Sequence, residues 1–187
     1  MRVIAGKYRG KILKEFDLSS TKPTLDRVKE SIFSSIQFDI IDAKVLDLFS
    51  GTGALGIECL SRGASCVDFV DSNIDAIKII KQKLQGVDGQ YSVNHSDYLK
   101  FLTNAKSNNK KYDIVLLDPP FATNYGANAI NYILINNLLS DRGVIIYEKA
   151  YDTPFDLSIE GYGFKQKKYG SVGVVKIIKK NKYKIIN

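Results

Sequence analysis

The chain has 187 residues, of which 44% are hydrophobic and 25% charged, and this is enough to build the core of one ordinary domain. No apolar run approaches the ~20 residues of a membrane span, and no signal-peptide region follows Met1-Arg2, so we expect a cytoplasmic protein without a membrane partner. Because Cys59 and Cys66 lack metal-type spacing and His95 is the single histidine, a zinc site and a histidine-based catalytic triad are excluded, and we expect no metal.

The formal net charge of +7 is concentrated at the two ends of the chain. Residues 1–30 carry eight bases and four acids, residues 161–187 carry eight lysines and no acid, and residues 31–160 carry eleven bases and sixteen acids. Basic ends around an acidic middle favour a polyanionic partner held by the ends. A simple contribution of the lysines to solubility remains an alternative.

The first 16 residues contain a predicted basic hairpin over residues 2–16. Lys7, Tyr8 and Arg9 lie at its tip, a combination suited to stacking on bases and contacting phosphates. An ordinary edge hairpin, protected from aggregation by its lysines, is an equally good interpretation.

A helix is predicted from Leu25 to about Phe38, with Thr24 as its N-cap. Arg27 and Glu30 share one of its faces, where they could form a simple surface ion pair.

The central motif is a strand, a glycine turn and a helix in succession. The strand Lys44–Leu48 is followed by G-x-G-x-x-G at Gly51, Gly53 and Gly56, and a helix is predicted from about Ala54 to Arg62. Glycines let the backbone approach a ligand closely, and the helix start offers free N–H groups. The order of elements predicts a nucleotide-like cofactor.

Acidic residues follow the next two strands. Asp71 ends the strand Cys66–Val70, a position from which a carboxylate binds ribose hydroxyls, and capping of the next helix is a compatible alternative. After a helix from Ile74 and the strand Tyr91–Asn94, Asp97 is a possible cap of the helix that begins at Tyr98.

The fourth strand, Tyr112–Leu117, ends in Asp118-Pro119-Pro120-Phe121. Two prolines fix the backbone, so the Asp118 carboxylate and the neighbouring carbonyls are held rigidly beside an aromatic ring. Such oxygens can accept both protons of an amino group on a planar ring that stacks on Phe121. A helix from Ala127, a strand Gly143–Tyr147, and an antiparallel pair Gly161–Tyr169 and Val172–Lys179 complete the predicted elements.

Several motifs in order give the chain a resemblance to a known family. The glycine motif followed by D-P-P-F looks like the S-adenosylmethionine-dependent methyltransferases that modify exocyclic amino groups of bases. Segments 2–10, 22–33, 47–58, 60–64 and 118–121 together resemble the bacterial 16S ribosomal RNA guanine-N2 methyltransferases. The similarity runs from Arg2 to about Lys179.

The resemblance implies an α/β protein with the Rossmann-like class I methyltransferase fold. Its seven-stranded, mostly parallel sheet would end in an antiparallel C-terminal hairpin and carry an N-terminal β-hairpin extension. We expect a single domain over 1–187, with the basic hairpin in 1–20, a helix covering the site in 21–40 and the catalytic core in 44–180. The implied cofactor is S-adenosylmethionine, and the implied partner is 16S ribosomal RNA in an assembling or assembled small subunit.

Roles for particular residues follow from the same resemblance. The catalytic group would be Asp118, Pro119, Pro120 and Phe121. The cofactor-binding residues would be Asp47, Phe49, Ser50, Gly51, Thr52, Gly53, Asp71, Ser72, Asp97 and Tyr98. The substrate-binding residues would be Lys7, Tyr8, Arg9, Lys22, Thr24 and Arg27.

Three other functions compete with this interpretation. D-P-P-F by itself does not separate guanine N2 from adenine N6, although N-P-P-Y is more usual in adenine methyltransferases. A nicotinamide-dependent oxidoreductase shares the glycine motif and the acid after strand two but has no use for D-P-P-F. A non-catalytic ribosome-assembly or RNA-binding factor could use the same fold as a scaffold.

Overall fold

The computed structural model describes residues 2–12, 26–156 and 158–180. Five helices and seven strands occur in this part of the chain. The helices are α1 (Asp26–Ser35), α2 (Ala54–Ser61), α3 (Ile74–Lys83), α4 (Tyr98–Ser107) and α5 (Tyr125–Ile135). The strands are β1 (Lys44–Leu48), β2 (Cys66–Asp71), β3 (Gln90–His95), β4 (Tyr112–Leu117), β5 (Leu139–Ala150), β6 (Tyr162–Tyr169) and β7 (Val172–Lys179).

The strands form one sheet in the order β3-β2-β1-β4-β5-β7-β6. The first five are parallel to each other, whereas β7 runs antiparallel to both β5 and β6. The predicted parallel sheet with an antiparallel C-terminal hairpin is therefore confirmed. β5 is longer than the predicted Gly143–Tyr147, because Leu139 pairs with Tyr112 and the far end pairs with β7 up to Ala150.

Helices cover both faces of the sheet, as buried parallel strands require. On one face α1, α2 and α3 pack against β-strand residues such as Val45 and Ile114. On the other face α4 and α5 pack against Leu46, Val115 and their neighbours. Because successive strand residues point to opposite faces, Asp47 lies on the α2 face.

The N-terminal segment and α1 both contact α2 at the buried Glu58. Lys29 and Glu58 are both fully buried, with their charged atoms 3.0 Å apart. Glu58 also accepts hydrogen bonds from the backbone N–H groups of Ile4 and Ala5, at 2.8 and 3.0 Å. The predicted hairpin is described only up to Ile12, and within that range it closes through one antiparallel bridge between Arg2 and Ile12.

Candidate functional site

The motifs singled out in the sequence meet at one edge of the sheet. The carboxyl ends of parallel strands all lie at the same edge. β1 is paired with β2 on one side and with β4 on the other. The glycine turn after β1, Asp71 at the end of β2 and Asp118 after β4 therefore lie side by side.

The glycine turn depends on left-handed backbone at several positions. φ is 65° at Phe49, 52° at Gly51 and 74° at Gly53, which is the N-cap of α2. Glycine adopts such angles without a steric penalty. Gly56 serves a different purpose, because a Cβ there would come within 2.3 Å of the Phe69 ring and 2.8 Å of the Asp47 carboxylate. The missing side chain lets α2 approach the sheet closely.

Asp71 connects the turn to the end of β2. Its Oδ2 accepts a hydrogen bond from Gly51 N at 2.8 Å, and its Oδ1 accepts one from Asn73 N at 2.8 Å. The alternative that Asp71 caps the next helix is wrong, because Asn73 is the N-cap of α3 and accepts from Asp75 N. The partly exposed Asp71 carboxylate faces the glycine turn and retains further lone pairs for a ligand.

Three other predicted cofactor residues, Ser50, Ser72 and Thr52, lie in or near the glycine turn, and two of them make hydrogen-bond contacts within the protein. The buried Ser50 hydroxyl donates to the carbonyl of Asp47 at 2.5 Å and accepts from Val70 N at 2.9 Å, so it ties the turn to β1 and β2. Ser72 is exposed, and its carbonyl oxygen lies 3.0 Å from His95 Nε2. Thr52 is partly exposed within the turn.

An aromatic cluster lies beside the turn. The ring centroids of Phe49 and Tyr98 are 5.3 Å apart, and Tyr125 lies 5.3 Å from Tyr98 and 6.3 Å from Phe49. Tyr125 was not among the predicted site residues. Asp97 is the N-cap of α4, accepting from the N–H groups of Leu99 and Lys100, so its predicted capping role is confirmed.

The D-P-P-F segment forms a short turn after β4. Asp118 is partly buried, Pro119 is buried, and Pro120 and Phe121 are exposed. The Pro120 carbonyl accepts from Thr123 N at 3.1 Å and from Thr123 Oγ1 at 2.8 Å, which holds the turn in place. With 42% of its surface exposed, Phe121 can stack on an incoming planar group.

Four carboxyl groups, those of Asp47, Asp71, Asp118 and Glu148, lie on the α2 face of the strand ends. Asp47 is 2% exposed and accepts from Gly56 N at 2.9 Å. Burial raises the pKa of Asp47 to about 8, with a further contribution from the charges of Asp118 and Asp71. Burial, followed by repulsion from Asp118 and Asp47, also raises the pKa of Glu148 well above its usual range. Part of each pKa shift arises from repulsion between neighbouring carboxylates, so a cationic ligand would favour the ionised forms.

Glu148 received no role from the sequence, although a signal was present. It follows the buried run Val144–Tyr147 just as Asp118 follows the buried strand β4. An acid directly after a parallel strand reaches the same edge as its neighbours.

The structure places the predicted substrate residues Lys7, Tyr8 and Arg9 at the opposite edge of the sheet. Lys7 N donates to the carbonyl of Ser61, at the end of α2, and the Tyr8 hydroxyl accepts from Asp88 N at 2.6 Å. Ser61 and Asp88 precede β2 and β3, and so lie near the amino ends of the strands. Lys7 also pairs with Asp88 at 2.7 Å. These three residues are not brought to the D-P-P-F segment.

Arg27 lies on the same edge as the site, whereas Lys22 and Thr24 fall outside the described residues. Ser31 contacts Tyr169, near the Ala150 end of β5, and the last residue of α1, Ser35, accepts from Lys176 further down the sheet. α1 therefore begins at the carboxyl edge, where the exposed Arg27 stands in its first turn.

The arrangement fits a cofactor with a ribose and a cationic group better than it fits a metal. The glycine turn offers close backbone approach, Asp71 offers acceptors for hydroxyl groups, and Asp118 offers negative charge. In the described part of the chain, no group of three His, Cys, Asp or Glu side chains could hold a metal ion. No helix in that part is long and apolar enough to cross a membrane.

Known proteins are similar to this chain in both sequence and fold. Ribosomal RNA small subunit methyltransferase D of Haemophilus influenzae is 36% identical over 157 residues, covering 82% of this chain and 81% of that protein. The Escherichia coli protein of the same name is 34% identical over 153 residues, covering 81% and 76%. The solved structure of yhhF from Escherichia coli has a TM-score of 0.84 at 28% identity, covering 96% of this chain and 98% of that chain.

A more distant structure shares the fold of this chain. The O-methyltransferase from Bacillus cereus, solved in complex with SAH, has a TM-score of 0.68 at 15% identity and covers 86% of this chain and 82% of that one. The similarity to yhhF, a structure 28% identical in sequence, confirms the predicted class I methyltransferase fold. A family model described as "Conserved hypothetical protein 95" matches residues 1–178. The chain therefore belongs to this family, and the resemblance to ribosomal RNA methyltransferases found in its sequence is confirmed.

Proposed function

We propose that this chain transfers a methyl group from S-adenosylmethionine to the exocyclic N2 of a guanine in 16S ribosomal RNA, within the small ribosomal subunit in the cytoplasm. The observation that carries the proposal is the placement of Asp118-Pro119-Pro120-Phe121 on the strand next to the glycine turn. Relatives named as methyltransferases of small-subunit ribosomal RNA support the substrate class.

The cofactor would be held by the residues around the end of β1. Gly51 and Gly53 would let the backbone approach it, Asp71 would accept from its ribose hydroxyls, and Phe49 and Tyr98 would pack against its adenine. S-adenosylmethionine supplies a methyl group bonded to a positively charged sulfur, which makes that methyl electrophilic. The negative charge of Asp118 and Asp71 favours a cation at this place.

Asp118 would prepare the guanine amino group for attack. Guanine N2 is a poor nucleophile because its lone pair is delocalised into the ring. The Asp118 carboxylate accepts a hydrogen bond from one N2–H and stabilises the positive charge that develops on nitrogen, while the Pro119 carbonyl accepts a hydrogen bond from the other N2–H. One of these protons leaves after the methyl group has been transferred, and the other stays on the methylated nitrogen. Phe121 stacks on the ring and holds the amino group in a fixed position, so the enzyme acts mainly by positioning and electrostatics.

A stacked or paired guanine must leave its helix to reach this turn, and RNA contacts elsewhere offset that cost. Arg27, at the carboxyl edge, is placed to contact RNA near the base, and Lys22 and Thr24 are proposed to do the same. Lys7, Tyr8 and Arg9 would contact RNA outside the base pocket, because they stand at the other edge.

The test is nucleoside mass spectrometry of 16S ribosomal RNA from cells that lack the protein. Their small subunits are incubated with purified enzyme and labelled S-adenosylmethionine. We expect N2-methylguanosine to be missing and then restored, and Asp118→Ala to lower the rate by roughly 100-fold or more. The same change at the exposed Asp152 serves as control and should retain activity. Label on adenine or cytosine, or no transfer to RNA at all, would overturn the proposal.

A further inference from the structure

Glu148 carries a buried carboxyl oxygen that lacks a hydrogen-bond partner beside the proposed catalytic turn. β4 and β5 pair with Leu117 next to Tyr147, so the following residues, Asp118 and Glu148, are neighbours across the two strands. Glu148 is 3% exposed, and its Oε1 receives no hydrogen bond from the described residues. A buried acceptor without a hydrogen bond is unfavourable. Its presence next to Asp118 therefore indicates a ligand that donates a hydrogen bond to it.

The backbone around Glu148 is held firmly in place. The next side chain, Lys149, donates to the carbonyls of Ala150, Tyr151 and Thr153, at 2.8, 3.1 and 2.5 Å. These bonds fix the chain where β5 ends, and they direct the ammonium group at carbonyls rather than at the Glu148 carboxylate. The backbone that carries the Glu148 acceptor is therefore fixed.

The chemistry of the bases indicates which base can donate a hydrogen bond to this acceptor. Next to its exocyclic amine, guanine has a ring N–H at N1, whereas adenine and cytosine have ring nitrogens that accept hydrogen bonds. Adjacent strands are ~4.8 Å apart, so carboxyl groups on both strands can reach one edge of a purine. An acceptor beside the one that holds the amine therefore matches guanine and mismatches the other two bases.

We propose that Glu148 is a specificity-determining residue whose Oε1 accepts a hydrogen bond from N1–H of the target guanine while Asp118 holds the N2 amino group. The inference rests on the proposed function, because it names the part of that substrate which Glu148 recognises. It also explains how a D-P-P-F segment, which by itself suits any amino-bearing base, acts on guanine alone.

The test compares guanine with 2-aminopurine, which keeps the reacting amine at C2 but lacks N1–H and O6. The target position is identified beforehand by mass spectrometry of ribonuclease fragments. 16S ribosomal RNA with either base at that position is then prepared by ligation and reconstituted into small subunits. Values of kcat/KM are measured for the wild type, for Glu148→Met, which has a similar shape without hydrogen-bonding groups, and for Glu148→Gln, which keeps a carbonyl acceptor.

We expect the wild type to prefer guanine by roughly 10- to 100-fold. Glu148→Met should reduce this preference to about threefold or less, mainly by losing activity on guanine, and Glu148→Gln should retain most of it. Equal losses on both bases would show that Glu148 only supports Asp118, and an unchanged preference would likewise overturn the inference. Failure of the wild type to methylate the guanine substrate would instead refute the proposed function.

Discussion

Replacing Asp47 with asparagine should change how the stability of the cofactor-free protein depends on pH. The side chain is 2% exposed, and its pKa rises from 3.8 in the unfolded chain to about 8 in the folded protein. Between about pH 5 and pH 7, the folded protein therefore retains a proton that the unfolded chain has lost. Each pH unit in this window lowers the free energy of unfolding by about 1.4 kcal/mol.

From about pH 5 to pH 7, Asp47 thus lowers the free energy of unfolding by about 2 to 3 kcal/mol. An asparagine side chain does not titrate and can still accept from Gly56, so Asp47→Asn should remove this part of the pH dependence. Guanidinium denaturation at both pH values, followed by far-UV circular dichroism, measures the difference. The exposed Asp75 provides the control, because Asp75→Asn should leave the wild-type slope in place. A variant whose unfolding free energy falls with pH as steeply as the wild type would refute a protonated, buried Asp47.

Two further changes test the packing that supports the site. Lys29→Met should lower the free energy of unfolding by about 3 kcal/mol, because it leaves the buried Glu58 carboxylate without its lysine, whereas the exposed Lys78→Met should have little effect. Comparable losses in the two variants, measured by chemical denaturation, would contradict this. Gly56→Ala should lower the free energy of unfolding by about 1 to 3 kcal/mol, because the new methyl group would lie within 2.3 Å of the Phe69 ring. An unchanged thermal midpoint would show that α2 can move away from the sheet without penalty.

The elements around the site could be predicted from the sequence because their signals are local. The apolar runs at β1 and β4 are typical of buried parallel strands, and Gly51 and Gly53 mark a turn that other residues would strain. Each signal is contained in a few consecutive residues. Their convergence also followed from the sequence, since the ends of parallel strands share one edge.

Other contacts join parts of the chain that lie far apart, and only the tertiary structure decided them. Tyr8 reaches Asp88 across 80 positions, which moves the basic tip away from the base pocket. The sequence signal at Glu148 predicts only which edge of the sheet it reaches, whereas the register of β4 and β5 puts it directly beside Asp118. The pKa of Asp47 likewise depends on burial by the whole fold. The sequence alone therefore determined the chemistry available at each strand end, and folding determined which groups act together, because strand register and burial arise from contacts between distant segments.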